Sequence, residues 1–351
     1  MGAVALRTWS PGTLVCGKRY RVLRVLAIGG MGDVYDVEDV SLGRHFVLKT
    51  LHRELAAEGD LRRQMRREAR VLGRIDHVNV VRVFTAGVTD DDVPFFVMEK
   101  LVGASLREVL RSGAKIPMRG AVRTVIDLLL ALDHVHEMGI VHCDLKPENI
   151  FLHDERGSVV PKLLDFGVVR LLVHGEATMC RGGTLRYSSP EQVRGEAVGP
   201  RSDVYAMGLV LYEMLAGRSP FRDLEGASEI AEAQLSQLPP PIAGVPSGLR
   251  SIICHALAKD PVDRPRGAFE FARELKSIEG FLDGELTLDH PVLVTRAMCE
   301  EITREIDIAN VDTVRDMPVC VSNCDLLTGR SGRHATGDVD GGGGRCDGVL
   351  P

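Results

Sequence analysis

The sequence predicts an α+β fold in which a smaller β-rich segment precedes a larger α-rich one. Short runs of β-forming residues, separated by glycines and an aspartate, are typical of antiparallel strands. Such runs precede Gly103 at 20–26, 34–40, 44–48, 80–86 and 94–98. Beyond Gly103 the apolar residues recur at helical spacing, so the second part of the chain is predicted to be helical.

In the α-rich segment, Ser105 can cap a short helix. Residues 119–138 place apolar side chains at three- and four-residue steps, which predicts an amphipathic helix. Residues 202–216 are apolar on nearly every side and therefore predict a helix inside a domain. Ser202 is expected to cap this helix and Gly217 to end it. Further helices are predicted near 226–236, 248–258 and 267–277.

The composition is that of an ordinary globular protein, with 44% hydrophobic and 26% charged residues in a chain of 351. The net charge of −6 gives no reason to expect nucleic acid as a partner. Negative charge is concentrated at the end of the chain, because residues 280–351 carry 13 acids and 6 arginines. Glycines at 341–344 predict a partly flexible, acidic tail.

The cysteines and the apolar runs predict a cytoplasmic protein. None of the 8 cysteines forms a CxxC pair, so free thiols in a reducing compartment are expected rather than a disulfide framework or a zinc site. No apolar run approaches the length of a membrane helix, and the N-terminus lacks an export signal. We therefore expect no membrane span.

The stretch 141–149 places Asp144, Lys146 and Asn149 in one tight loop, and Asp165 follows at the start of an Asp-Phe-Gly sequence. An acid, a lysine and an amide at this spacing can accept a hydroxyl proton, neutralise a transferred phosphoryl group and hold a metal ion. The two motifs closely resemble the catalytic loop and the Asp-Phe-Gly element of protein kinases. The resemblance implies that Asn149 and Asp165 hold Mg²⁺ and that Asp144 receives the acceptor's proton.

A glycine-rich turn lies between the first two predicted strands, and glycines let a hairpin backbone lie close over phosphates. Its candidate nucleotide-binding residues are Ala27, Ile28, Gly29, Gly30, Gly32 and Val34. Lys49 follows in a predicted strand, two residues after Val47. The arrangement resembles the kinase phosphate-covering loop and its strand lysine. Ala27 replaces the family's first glycine, from which we expect a modest effect on nucleotide affinity.

Residues 59–73 predict a helix whose arginines form a solvated face rather than a nucleic-acid patch. By the family resemblance, Glu68 on this helix pairs with Lys49 and holds the lysine against the α- and β-phosphates. The same resemblance gives the remaining contacts to the nucleotide. They are Met98, which limits the pocket behind the adenine, and the hinge residues Glu99 and Leu101.

The stretch 183–191 is similar to the end of a kinase activation segment, with Ser189 in place of the usual alanine. The resemblance implies that Glu191 pairs with Arg264 and thereby anchors the segment. It also implies that Asp203 ties the buried helix to the catalytic loop.

Cys143 is the sharpest departure from the family, since most regulated members have an arginine there that grips a phosphate on the activation segment. Activity is therefore expected to depend less on phosphorylation of that segment. Thr178 is the candidate phosphorylation site by spacing, and Thr184 is expected to contact the catalytic acid and lysine.

Taken together, the motifs resemble bacterial members of the eukaryotic-like serine/threonine kinases. The resemblance implies a two-lobed fold with an ATP cleft, a small lobe at about 20–99 and a larger one at about 103–279. Residues 1–19 are predicted to be a loose lead-in, and 280–351 a tail of unassigned role.

The implied activity is transfer of the γ-phosphoryl group of ATP, with Mg²⁺, to serine or threonine hydroxyls of proteins, including autophosphorylation. Lys146, two residues after the acid, is similar to the serine/threonine branch. One alternative is a pseudokinase scaffold, although Lys49, Asp144, Asn149 and Asp165 all remain. A second is a small-molecule kinase of related fold, which the Ser-Pro-Glu segment disfavours.

Overall fold

The computed structural model describes residues 8–28, 32–52, 72–165, 170–171 and 185–280. Its N-terminal part is a six-stranded sheet, and its C-terminal part is mainly helical. The six strands are β1 (Leu14–Val15), β2 (Tyr20–Ile28), β3 (Asp33–Asp39), β4 (Arg44–Thr50), β5 (Val83–Val88) and β6 (Pro94–Glu99). Their order is β1-β2-β3-β4-β6-β5, and every neighbouring pair is antiparallel. Each strand predicted in this part of the chain is present.

The two faces of the sheet have different environments because successive side chains of a strand alternate between faces. Tyr35 and Leu48 lie opposite each other on β3 and β4 and are buried in an apolar cluster on one face. Val34 lies opposite Lys49, so these two side chains share the other face. The alternation therefore directs Lys49, with Val47 two residues before it, away from the apolar cluster.

The lead-in predicted to be loose is ordered in the part that the structure describes. Leu14 and Val15 pair with β2, and the Val15 side chain is buried. The Trp9 ring packs on the Tyr35 ring with a centroid distance of 4.9 Å. Burial of apolar side chains against the sheet explains this order. The prediction of a loose segment was based on the prolines and glycines of the lead-in and was wrong for this part.

The helical part contains α1 (Leu106–Arg111), α2 (Met118–Glu137), α3 (Pro190–Arg194), α4 (Pro200–Ala216), α5 (Ala227–Ser236), α6 (Ser247–Ala256) and α7 (Ala268–Glu279). α2 packs against α4 and α7. As predicted, α4 is buried on nearly every side and α2 buries its apolar stripe. These packed helices support the loop at 142–149.

The predicted helix ends are partly correct. Ser105 caps α1 and forms a reciprocal capping box with Glu108. Ser202 does not cap α4, because the helix begins earlier, with Gly199 as N-cap and Pro200 in the first turn. The fixed φ of proline suits the first helical position, so Pro200 starts the helix before Ser202 is reached. Gly217 ends α4 in the left-handed conformation, as predicted.

Two small sheets flank the loop at 142–149 and position it. One has the order β10-β9-β7, with β7 (Gly103–Ser105), β9 (Ile150–Glu155) and β10 (Ser158–Leu163). The other pairs β8 (Ile140–Val141) with β11 (Arg170–Leu171). Residues 142–149 lie between β8 and β9, and Asp165 follows β10. The Leu164 amide donates to the Asn149 carbonyl at 2.8 Å, which brings the two motifs side by side.

Within the ranges that the structure describes, no helix has the length and apolar character needed to cross a membrane. The helix predicted at 59–73 lies almost entirely outside those ranges.

Candidate active site

The residues of the 141–149 motif converge in one buried loop. Lys146 Nζ lies 3.0 Å from Asp144 Oδ2. Asn149 Nδ2 donates to the Asp144 carbonyl oxygen at 2.8 Å and contacts its carboxylate oxygen at 3.1 Å. The predicted acid, lysine and amide are thus held together, with the carboxylate of Asp144 between two donors.

Burial is the main influence on the Asp144 carboxyl and raises its pKa above the ordinary value. Lys146 and Asn149 act in the opposite direction, because they stabilise the ionised form. The net upward shift increases the proton affinity of this carboxylate, which suits a group that accepts a proton near neutral pH.

Asp203 on α4 fixes the backbone that precedes Asp144, as predicted. Its carboxylate accepts hydrogen bonds from the amides of His142 at 2.8 Å and Cys143 at 2.9 Å. His136 Nε2 lies 2.8 Å from the same carboxylate. A buried carboxylate with several donors is a strong and directional anchor.

The His142 ring joins the catalytic loop to the strand that leads to Asp165. Its Nε2 lies 3.1 Å from the Leu164 carbonyl oxygen, which can only accept, so this nitrogen carries the proton. Complete burial lowers the pKa of His142, although Asp203 and Asp144 oppose the shift. The ring is therefore a neutral structural link at physiological pH.

Lys49 and Asp165 form an ion pair across the two parts of the structure. Lys49 Nζ lies 2.7 Å from Asp165 Oδ1, and the two side chains are only 2% and 8% exposed. The pairing of Lys49 with Glu68 stays a prediction, since Glu68 lies outside the described residues. Asp165 has φ +38, an uncommon left-handed value for a non-glycine residue.

Two oxygen atoms in this cluster fit a divalent ion. Asn149 Oδ1 and Asp165 Oδ2 are buried, and neither has a hydrogen-bond partner among the described residues. Buried acceptors without partners are costly unless another ligand satisfies them. Mg²⁺ prefers hard oxygen ligands, so the two unpaired atoms match the pair of residues predicted to hold it.

The predicted nucleotide residues of the sheet region that the structure describes lie on or next to β2, β3, β4 and β6 and on the connection after β6. Ala27 pairs with Val34, and Val47 pairs with Met98 across the sheet. A Cβ at Gly32 would lie 1.7 Å from the Thr50 carbonyl oxygen, so only glycine allows this approach of the turn to β4. Ile28 ends β2, while Gly29 and Gly30 lie outside the described residues.

The predicted hinge begins at the end of β6. Glu99 Oε1 accepts from Lys162 Nζ at 2.7 Å and from the Arg82 amide at 2.9 Å. Leu101 follows it as a half-buried residue. The Glu99 side chain thus ties the start of the hinge to β10 and to the segment before β5.

A family model described as the protein kinase domain matches residues 20–276. The chain belongs to the protein kinase family. The crystal structure of the Mycobacterium tuberculosis PknI kinase domain is similar to it, with a TM-score of 0.61, 25% sequence identity and coverage of 77% of this chain and 99% of that one. The predicted two-lobed kinase fold is thereby confirmed.

Relatives of this kinase chain include bacterial proteins. The probable serine/threonine-protein kinase PknB of Bifidobacterium longum is 36% identical over 279 residues, covering 75% of this chain and 40% of that protein. The serine/threonine-protein kinase PrkC of Bacillus subtilis is 36% identical over 265 residues, covering 74% and 40%. The chain therefore spans 40% of the length of these two curated relatives. The predicted resemblance to bacterial serine/threonine kinases is confirmed.

The kinase fold also contains the predicted anchor after the activation segment. Arg264 Nη1 and Nη2 each lie 2.8 Å from an oxygen of Glu191, and Ser202 Oγ donates to Glu191 Oε1 at 2.6 Å. Burial alone would raise the pKa of Glu191, but the hydrogen bonds and charge of Arg264 lower it overall. Thr178 and Thr184 lie outside the described residues.

A second buried network, centred on Arg107, was not predicted from the sequence. Its guanidinium contacts Glu148 at 2.6 Å and Glu213 at 2.8 Å, and it also donates to the Tyr187 hydroxyl. The Tyr187 hydroxyl in turn bonds to Glu213. These partners are far apart in the chain and share no motif, so no sequence pattern links them.

Proposed function

We propose that this chain is an ATP- and Mg²⁺-dependent protein kinase that phosphorylates serine and threonine hydroxyls. The observation that carries the proposal is the convergence of Asp144 and Lys146, 3.0 Å apart, beside buried oxygens of Asn149 and Asp165 that have no hydrogen-bond partner in the described part of the chain. The cluster combines a base, a cation and two oxygen atoms that can bind a metal ion. Such a set suits phosphoryl transfer, which depends on positioning and charge neutralisation.

In the proposed reaction, Asp144 aligns the acceptor hydroxyl and takes its proton as the oxygen attacks the γ-phosphorus; the bond from that phosphorus to the β–γ bridging oxygen breaks, and ADP leaves. The upward shift in the Asp144 pKa supports this role. Lys146 stabilises the negative charge of the transferred group, and Lys49 orients the α- and β-phosphates. When bound to Asn149 and Asp165, Mg²⁺ would supply positive charge to the phosphate oxygens.

The nucleotide is proposed to lie between the sheet and the catalytic loop. The glycine-rich turn would cover its phosphates with Ala27, Ile28, Gly29, Gly30, Gly32 and Val34. Val47, Met98, Glu99 and Leu101 would surround the adenine, and Glu68 would hold Lys49. The shared face of Val34, Val47 and Lys49 supports this placement.

Protein acceptors are proposed because relatives over this region are named serine/threonine-protein kinases. Lys146, two residues after Asp144, agrees with that branch. We also propose that the kinase domain covers about residues 20–279. We further propose that it works in signal transduction and that it lies in the cytoplasm, where its substrate ATP is present. A pseudokinase scaffold is not favoured, since the lysine, the acid and both metal-type ligands are all present.

The direct test is phosphate incorporation from labelled ATP and Mg²⁺, with a generic basic protein as acceptor. We expect label on serine and threonine in the wild type and none in Asp144→Asn. Asp76→Asn is the matched control, because it makes the same chemical change at a side chain that is 83% exposed. Asp76 is also far from the cluster in sequence. Label that persists in Asp144→Asn, or appears on tyrosine alone, would contradict the proposal.

A further inference from the structure

Gln192 joins the end of the activation segment to the catalytic loop. It lies on the short helix α3, and its side chain is buried. Gln192 Nε2 donates to the Cys143 carbonyl oxygen at 2.7 Å, and Gln192 Oε1 accepts from the Ser189 amide at 2.8 Å. One amide side chain therefore links the Ser189 backbone, three residues before Gln192, to a carbonyl that lies 49 residues before Gln192.

The Cys143 carbonyl belongs to the peptide unit that carries the Asp144 nitrogen. The orientation of this unit determines where the Asp144 side chain leaves the backbone. Cys143 has φ +64, a left-handed conformation that persists only where surrounding contacts hold it. Asp203 holds its amide at 2.9 Å, and Gln192 holds its carbonyl.

Gln192 is itself held by a rigid neighbourhood. The preceding residue, Glu191, forms the buried pair with Arg264, whose side chain is 0% exposed. A donor attached to a fixed helix can impose a position on the loop it contacts. The contact uses the backbone of residue 143, so it does not require the arginine that Cys143 replaces.

We propose that Gln192 is a positioning residue that sets the orientation of Asp144 through the Cys143 carbonyl. This inference rests on the proposed kinase activity and adds a route by which the end of the activation segment controls the catalytic acid. The route needs no side chain at position 143 and no phosphate.

The discriminating variant is Gln192→Glu. The introduced carboxyl keeps an oxygen that can accept from the Ser189 amide, but in its ionised form it cannot donate to the Cys143 carbonyl. Burial beside a carbonyl raises the pKa of the introduced group, and protonation restores a donor. The turnover of Gln192→Glu relative to wild type should therefore recover as the pH falls.

We expect kcat to fall about tenfold or more at about pH 8.5, with KM for ATP unchanged within about twofold. The ratio of variant to wild-type kcat should rise at least about threefold between pH 8.5 and pH 6. The titratable and charged groups on the surrounding elements include His142, Asp144, Lys146, Arg194, Asp203 and the Glu191–Arg264 pair. They are present in both proteins, so their own titration affects both kcat values in the ratio.

Two further variants keep the test decisive. Gln237→Glu makes the same chemical change at an exposed residue and should leave kcat unchanged at every pH. Gln192→Met preserves the side-chain length without a strong donor, so its kcat should stay low across the pH range. If Gln192→Glu fails to fold, wild-type kcat in Gln192→Met overturns the proposal, and a low kcat with unchanged KM for ATP supports it.

A variant-to-wild-type kcat ratio that does not change with pH would overturn the positioning role while leaving the proposed function intact. A loss of kcat that accompanies a lower melting temperature and does not recover at low pH would do the same. If the Asp144→Asn protein incorporates as much label as the wild type, both the positioning role and the proposed function are overturned.

Discussion

Removing one partner of the Glu191–Arg264 pair should be among the most destabilising single side-chain changes in the helical lobe. Both side chains are buried, at 4% and 0% exposure, and two nitrogen–oxygen contacts of 2.8 Å join them. Arg264 also donates to the carbonyls of Arg201 and Lys259. Glu191→Gln preserves the shape of the side chain but leaves the guanidinium without its counter-charge.

Breaking a buried ion pair from one side costs about 3–5 kcal/mol, because the remaining charge stays desolvated. We therefore expect Glu191→Gln to lower the free energy of unfolding by about this amount. For a chain of this size the melting temperature should fall by about 6–20 °C. Exposed pairs contribute about 0–1 kcal/mol, so Glu196→Gln is the control, since its partner Arg194 is 41% exposed.

The assay is urea unfolding followed by far-ultraviolet circular dichroism, which reports mainly on the helices. The effect should also depend on pH. Because the pKa of Glu191 is lowered in the folded state, its contribution is complete above the ordinary value of 4.5 and is lost as the pH falls through the folded value. A loss below about 1 kcal/mol at neutral pH, similar to that of Glu196→Gln, would refute the argument.

Three further predictions concern the site. Asp203→Asn removes the charge that holds two loop amides, so kcat should fall about a hundredfold with little change in KM for ATP; equal changes in both constants would contradict this. Gly32→Ala places a Cβ 1.7 Å from the Thr50 carbonyl oxygen and should raise KM for ATP about tenfold, whereas Gly267→Ala, with nothing within 4 Å and an extended backbone, should leave it unchanged. Because burial raises the pKa of Asp144, the acidic limb of the kcat profile should lie above the ordinary carboxyl value of 3.8, and a profile with its midpoint at or below that value would count against the assignment.

The order of strands and helices was predictable because each depends on local patterns. The apolar stripe of α2 and the cap at Ser105 use residues within one or two turns of each other. Asp144, Lys146 and Asn149 are likewise fixed within one loop by their spacing. Local geometry leaves such neighbours little freedom, so the sequence was sufficient.

Local signals failed where a competing feature lay close by. Ser202 is a good capping residue, but Pro200 begins the helix first, and the Ser202 hydroxyl bonds to Glu191 instead. The lead-in contains the turn-forming residues of a loop, yet Trp9 and Val15 lie against the sheet. The apolar surface presented by other strands decides the case of the lead-in, whereas the nearby proline decides that of Ser202.

The sequence by itself determined the candidate residues for the proposed chemistry, since an acid, a lysine and two residues with metal-binding oxygens occur at recognisable spacing. Tertiary structure alone decided the partners of those residues across the chain. Lys49 meets Asp165 from 116 residues away, Arg107 meets Glu213 from 106, and Gln192 meets Cys143 from 49. Such contacts depend on how whole helices and strands pack. Burial of their apolar surfaces selects one arrangement, and the polar side chains then pair within it.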